Sequence, residues 1–222
     1  YQIDAPGSAI RTTVKLPASK SISNRALILN ALSYSAYDVE NLSDCDDTNL
    51  MVKALNSNDR DFNVGAAGTT MRFLTAFLSK VVGEWTITGT ERMKNRPIKV
   101  LVDALNALGA RIEYMEKEGY PPLRIFGSAL QGGEISLPGN VSSQYISAIL
   151  MIAPLTENGV TLHLEGAIIS RPYIHITLQL MEQYGVRASW TENTIKVLPQ
   201  EYKPIRFTVE SDWSAASYWY EI

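Results

Sequence analysis

A single cysteine, Cys45, stands among 222 residues. It has no partner for an internal disulfide, which fits a reducing cytoplasm. No histidine lies near it in sequence, so it reads as a structural or tolerated thiol rather than a nucleophile. His163 and His175 sit in apolar-rich segments without ligand spacing, and no Cys/His/carboxylate cluster calls for a metal. No apolar run approaches the roughly 20 residues that cross a bilayer. Tyr1 to Gly7 lack a basic stretch leading into an apolar one, so no signal peptide is expected. Positive charge is not in excess either: 20 Lys and Arg face 23 Asp and Glu, a net charge of -3. That balance disfavours a nucleic-acid binder. What is present is ordinary for a globular chain, 45% hydrophobic and 19% charged, enough to bury a core. The cations are concentrated, with Arg92, Lys94, Arg96 and Lys99 falling within eight residues. A local positive focus on an acidic protein suits small anions better than a polyanion.

Strand-like and helix-like segments alternate along the chain, which predicts an α/β (α+β) fold. Strands are expected at 11–16, 37–41, 84–90, 110–116, 123–126, 133–137 and 159–164. Residues 187–191 and 194–198 flank Glu192-Asn193 as a hairpin. Helices are expected at 21–32, 46–55, 68–79, 97–108, 143–153 and 172–184. Two helix classes recur in order. LPASKSISNRALILNAL (16–32) resembles LPGNVSSQYISAILMIAPL (137–155), and GAAGTTMRFLTAFL (65–78) is a third version without Leu-Pro. RPIKVLVDALNALGA (96–110) parallels RPYIHITLQLMEQYGV (171–186), each ending on a glycine, with DDTNLMVKALN (46–56) as a third member. The pattern predicts one domain of three pseudo-symmetric βαβαββ units, since one unit alone cannot bury its apolar faces.

Helix starts carry the chemistry. A helix amino end offers unpaired N–H groups and partial positive charge, a ready anion site. In Ser19-Lys20-Ser21-Ile22-Ser23-Asn24-Arg25, Ser21 and Arg25 are four apart and share a face, while Lys20 stands just outside as a mobile point charge. In Gly65-Ala66-Ala67-Gly68-Thr69 the small residues let a ligand approach the backbone, and Arg72 follows on the next turn. In Arg92-Met93-Lys94-Asn95-Arg96-Pro97, proline is expected at the first helical position, with Arg96 at the mouth to grip an oxyanion. Ser142-Ser143-Gln144 and Ser170-Arg171-Pro172-Tyr173 add uncharged donors suited to sugar-like hydroxyls and phosphate. Each stretch alone is also explained as an ordinary cap or a solvated basic loop.

Taken together, LPASKSISNRAL, GAAGTTMR, ERMKNRPIKVLVDALNALGA, EGYPPLRI, VSSQYISAILMIAPL and SRPYIHITLQLM resemble the 5-enolpyruvylshikimate-3-phosphate synthase family, in that family's order and over most of the chain. The resemblance implies transfer of enolpyruvyl from phosphoenolpyruvate to the 5-hydroxyl of shikimate 3-phosphate, by addition–elimination with release of phosphate. It implies no metal or organic cofactor, a place in aromatic amino-acid synthesis, and two domains of three units each that close on the ligands. It implies Lys20 as the catalytic contact to both substrates. Ser21, Arg25, Ser142, Ser143, Gln144, Ser170 and Tyr173 become shikimate 3-phosphate ligands, with Gln144 near both substrates, and Gly68 and Arg96 become phosphoenolpyruvate ligands.

The chain departs from the family pattern in places. Ala66 stands where the family usually has asparagine, Phe73 where it often has proline, and Ala18 where it often has glycine. Only ten residues, 55–64, cover a span that the family fills with extra strands, so the first unit is expected to be shortened. Residues 1–13 read as a crossover segment belonging to a second domain, 14–208 as the substrate-binding domain, and 209–222 as the start of the truncated second domain. The family's acidic catalytic residues and several basic ones lie beyond that point, so the expected partner is the missing domain and the chain alone is expected to be an inactive half-enzyme. Neither nucleic acid nor membrane is an expected partner. Two alternatives stay open: a relative acting on UDP-N-acetylglucosamine, whose catalytic-cysteine loop has no counterpart here, and a non-catalytic anion-binding domain.

Overall fold

The helix at Gly68–Lys80 explains much of the architecture, because eleven of its 13 residues are buried and many of those are small or hydroxylated. A helix buried on all sides sits inside a bundle rather than on its surface. The computed structural model describes residue 7 and residues 11–221. In chain order the elements are α1 (Lys20–Leu32), β1 (Val39–Glu40), α2 (Asp46–Leu55), β2 (Asp61–Asn63), α3 (Gly68–Lys80), β3 (Gly83–Thr88), α4 (Glu91–Lys94), α5 (Lys99–Ala107), β4 (Arg111–Tyr114), β5 (Leu123–Gly127), β6 (Gly133–Pro138), α6 (Ser143–Ile152), β7 (Val160–Glu165), α7 (Arg171–Gln183), β8 (Ala188–Thr191), β9 (Thr194–Val197), β10 (Phe207–Thr208) and α8 (Trp213–Glu221). The fold is mixed α/β. α1, α3 and α6 pack on one another, and α2, α5 and α7 pack around them.

The strands form two four-stranded sheets, β2-β3-β5-β4 and β6-β7-β9-β8, and one two-stranded sheet, β1-β10. In both larger sheets the first pair is parallel and the other two pairs are antiparallel. Alternation of buried and exposed residues, as along β6 and β7, turns one sheet face to the helices. One apolar cluster reaches from Ile28 and Leu29 through Met71 and Leu74 to Ile149, Leu162 and Ile195.

The predicted α2 matches the observed helix residue for residue, and the other predicted helices from 68 onward are found, most within a residue or two. Gly109 and Gly185 follow helices and adopt φ of 98° and 88°, the left-handed stop that glycine permits. Three expectations need correction. Residues 11–16 form no strand; the parallel partner of β1 is instead β10, with Val39 opposite Phe207 and Glu40 opposite Thr208. The helix expected at 97–108 starts at Lys99, because the Ile98 N–H is drawn to the Gly119 carbonyl at 2.9 Å and Pro97 stays outside. The basic stretch before it folds as the short α4, anchored by buried Met93. Sequence reading also missed β2, β10 and α8.

Most of the crossover segment assigned to 1–13 lies outside the described residues. Where the chain re-enters, Ala18 bridges Ser211, the Ser19 N–H donates to the Glu210 carbonyl at 2.9 Å and the Asp212 N–H donates to Pro17 at 2.8 Å. No described helix is long and apolar enough to cross a membrane.

Candidate functional site

Five helices bring their amino ends to one end of the bundle. Arg25 on the second turn of α1 reaches Ser147 of α6 and Thr177 of α7, each also one to two turns from its helix start. Asp47 in the first turn of α2 meets Lys20, the first residue of α1, and Thr69, the second residue of α3. Helix dipoles aligned this way add their positive ends on one side of the molecule.

The first cluster centres on Gly68, which is buried at the start of α3. A Cβ there would stand 2.5 Å from Nη1 of Arg96 and 2.7 Å from Nη1 of Arg72, so two guanidiniums converge on this backbone. Arg72 donates through Nη1 to the Gly68 carbonyl at 2.8 Å and to Oε1 of Gln144 at 3.0 Å. Gln144 in turn donates through Nε2 to the Thr69 hydroxyl at 3.1 Å. The Arg72 guanidinium lies over the Tyr145 ring at 5.1 Å, and its buried Nε–H has no partner. Tyr145 also donates its hydroxyl to the Pro97 carbonyl at 2.7 Å, which ties the loop carrying Arg96 to α6. Arg96 has its pKa pushed down, first by burial and then by the positive charges of Arg72 and Arg92. An oxyanion placed between these groups would relieve that repulsion.

Lys20 completes this cluster through an ion pair with Asp47, Nζ to Oδ2 at 3.1 Å, while staying 43% exposed. Asp47 also accepts the Thr69 N–H at 2.9 Å and, through its carbonyl, the Thr70 hydroxyl at 2.6 Å. One carboxylate therefore caps α3 and holds a cation beside it.

The second cluster surrounds Arg25, only 2% exposed. Its Nε donates to the Thr177 hydroxyl at 2.7 Å, Nη2 to the Ser147 hydroxyl at 2.9 Å and Nη1 to the Ser21 carbonyl at 2.9 Å. The guanidinium also sits over the Phe73 ring at 5.3 Å. Every one of these partners is neutral. Burial lowers the Arg25 pKa from the ordinary arginine value to about 10, with Tyr173 acting in the other direction. Three of five donors are used, which leaves two for a ligand. Tyr173 is 42% exposed. Ser170 caps α7 by position without a side-chain capping bond. Ser142 caps α6, accepting the Gln144 N–H at 3.4 Å, and Ser143 beside it is buried.

Lys20, Ser21, Arg25, Gly68, Arg96, Ser142, Ser143, Gln144, Ser170 and Tyr173 are thus all carried at this end of the bundle. Two members of the basic stretch are already paired with acids. Lys94 pairs with Glu116 at 2.9 Å, and Lys99 pairs with Glu118 at 2.7 Å and Asp103 at 3.5 Å. Their charges are met within the protein and do not require an anion. Sequence reasoning missed Asp47, Ser147 and Thr177, and gave Thr69 and Arg72 no role of their own. Arg72 was signalled by its spacing of four from Gly68. Asp47 carried only the ordinary signal of an acid in a first helical turn.

The sequence profile of the EPSP synthase (3-phosphoshikimate 1-carboxyvinyltransferase) family matches residues 5–59 and 56–221. The 3-phosphoshikimate 1-carboxyvinyltransferase of Bacteroides fragilis (strain YCH46) is 61% identical over 223 residues, covering 100% of this chain and 54% of that protein. Its counterpart in Vibrio campbellii is 43% identical over 242 residues, covering 96% of this chain and 57% of its own. The solved structure of EPSP synthase from Acinetobacter baumannii superposes with a TM-score of 0.81 at 21% identity, covering 92% of this chain and 51% of that one; at that identity the likeness speaks for the fold. The chain spans about half the length of the curated relatives it matches. With the profile running nearly from end to end and relatives this similar, the chain belongs to the EPSP synthase family.

Proposed function

We propose that this chain forms the shikimate 3-phosphate-binding side of an enolpyruvyl transferase, in which phosphoenolpyruvate gives its enolpyruvyl group to the 5-hydroxyl of shikimate 3-phosphate and phosphate is released. The observation that carries the reading is a buried guanidinium, Arg25, bonded only to neutral groups, one helix turn along α6 from a second guanidinium cluster at Gly68. A buried cation without a counter-charge is costly unless a ligand supplies one. Two such places side by side suit two anionic substrates.

In this reading Arg25, Ser21, Ser142, Ser143, Ser170 and Tyr173 hold shikimate 3-phosphate. Gly68 and Arg96 hold phosphoenolpyruvate, and Gln144 stands between the two. Lys20, exposed and oriented by Asp47, is the catalytic contact to both. Ala66 offers no amide where the family usually has one, so the backbone and Thr69 carry more of the loop's polar work. No cofactor enters the scheme.

We also infer a domain of three βαβαββ units over 14–208, the first shortened, with the flanking segments crossing toward a second domain. The matching strand order of the two four-stranded sheets supports this. A reducing cytoplasm is the compartment that suits a lone cysteine. By themselves these 222 residues bind shikimate 3-phosphate weakly and do not turn over, because groups that close over the ligand supply much of the positioning and charge stabilisation. Isothermal titration calorimetry of the chain with shikimate 3-phosphate, and then of Arg25→Ala, tests the site. Saturable binding that Arg25→Ala abolishes is expected, and equal affinities refute the assignment. A robust phosphate-release rate from the purified chain refutes its inactivity.

A further inference from the structure

β3 and β7, the second strands of the two larger sheets, each lie parallel to the strand before them and antiparallel to another on their far edge. β1 holds the same place in the small sheet. Val39 faces Phe207 as Ile87 faces Phe62 and Leu164 faces Leu137. There the likeness stops. Among the described residues nothing corresponds to β5 or β9, because α2 ends at Leu55 and β2 already begins at Asp61. The Glu40 carbonyl accepts the Val209 N–H at 2.9 Å on the β10 side. By strand alternation the N–H and C=O of Val39 face the opposite edge, where no further strand lies among the described residues.

Beside that edge runs a groove of about 580 Å³, lined by Leu27, Ala31, Tyr37, Leu42, Val52 and Phe77. Asn30 also lines it. Its Nδ2 donates to the Tyr37 carbonyl at 2.9 Å, while its Oδ1 is buried without a partner. The matching end of α3 shows what fills such a place. There Gly127, at the end of β5, packs against the Leu78 and Val81 carbonyls, and the Ser128 N–H donates to the Ser79 carbonyl at 3.0 Å. Among the described residues no strand packs on the matching end of α1.

We propose that the open edge of β1 and the groove beside it bind an extended basic segment of another polypeptide, added as an antiparallel strand in the place that β5 and β9 hold in the other sheets. Such strand addition takes affinity from main-chain bonds and specificity from alternate side chains. The neighbouring sheets define the occupant. Leu123 and Ile125 of β5, and Ile195 and Val197 of β9, are buried. Between them Arg124 stands opposite Thr86 and 3.6 Å from Glu84, and Lys196 stands opposite Thr161. On β1 the register of Thr86 belongs to Asp38, and both Asp38 and Glu40 are exposed. A basic residue between two apolar ones therefore complements this edge. A second copy does not: twofold pairing about Val39 sets Asp38 against Glu40, like charge on like.

The probe is a fluorescein-labelled synthetic peptide with the sequence of residues 120–128, which places Leu123 opposite Val39 and Arg124 opposite Asp38. Fluorescence anisotropy with the full chain is expected to saturate, with new amide-exchange protection at the Val39 N–H. Asp38→Lys, an exposed change expected to leave the urea midpoint unmoved, weakens binding about fivefold. A peptide carrying Arg124→Glu binds poorly to the unchanged chain and regains affinity for Asp38→Lys. The proposal is overturned if there is no saturable binding, if exchange at Val39 does not change, or if the charge swap restores nothing. Sedimentation showing that two copies associate through this edge overturns it as well.

Discussion

Arg25→Met separates binding from stability. At about 1.4 kcal/mol per pH unit, the fall from the ordinary arginine value to about 10 corresponds to about 3 kcal/mol against the charged side chain in the folded protein. That penalty is fully present below pH 10 and fades only as pH rises toward the ordinary arginine value. Against it stand three hydrogen bonds to neutral acceptors, together about 4.5 kcal/mol at the low end for a charged donor, and the apolar surface that a methionine buries in their place offsets about 1.5 kcal/mol of that loss. Losing the guanidinium does not strand its partners. The Ser147 and Thr177 hydroxyls bond each other at 2.8 Å, and Thr177 donates to the Tyr173 carbonyl at 3.0 Å. Methionine fills similar volume and keeps the contact with Phe73. The expected result is a urea-unfolding free energy within about 1 kcal/mol of the unchanged chain, or above it. Shikimate 3-phosphate at a hundred times its dissociation constant should stabilise the unchanged chain by about 2.7 kcal/mol and Arg25→Met not at all. If Arg25→Met instead lost more than about 3 kcal/mol without ligand, the guanidinium would be a structural strut and the argument for an uncompensated charge would fail.

Other substitutions test other parts of the structure. Gly68→Ala places a methyl group against two guanidinium tips, which are flexible ends. The urea midpoint should barely move, while calorimetric affinity for phosphoenolpyruvate falls about tenfold or more through displacement of Arg96. Gly127→Ala meets the carbonyls of Val81 and Leu78 instead. Backbone cannot swing aside, so a loss of about 3 kcal/mol or failure to fold is expected, read by circular dichroism melting. Tyr184 is fully buried with its hydroxyl unpartnered, so Tyr184→Phe should raise stability by about 1 kcal/mol in urea titrations. Burial also pushes the Tyr184 pKa up to about 12 and that of Tyr202 well above its usual value. A raised tyrosine pKa gives stability that is intact below pH 10 and lost as pH climbs toward the folded value. Unfolding free energy should therefore drop between pH 10 and 12, and less steeply in Tyr184→Phe.

Where local signals decided an element, the sequence was readable. α2 shows why: Asp46 and Asp47 open it, Lys53 lies in its last turn, and no outside contact overrides those preferences. Arg11 to Leu16 show the opposite. Their alternation suits a strand, but the position beside β1 is held by Phe207 and Thr208, about 170 residues further on, and nothing local reports so distant a pairing. Pro97 followed a sound rule for helix starts, yet Tyr145 holds its carbonyl and Gly119 takes the next N–H. The candidate site divides along the same line. Its cations and glycine were visible because helix amino ends have recognisable chemistry. Which cations face a ligand was not, because Lys94 and Lys99 are met by Glu116 and Glu118 from a separate turn. Nor was the seat of Arg25 visible, since Ser147 and Thr177 sit inside apolar helices, where a hydroxyl usually signals nothing more than a bond to its own helix. Only the common direction of α1, α6 and α7 turns those two hydroxyls toward one guanidinium, and that direction comes from the packing of the bundle.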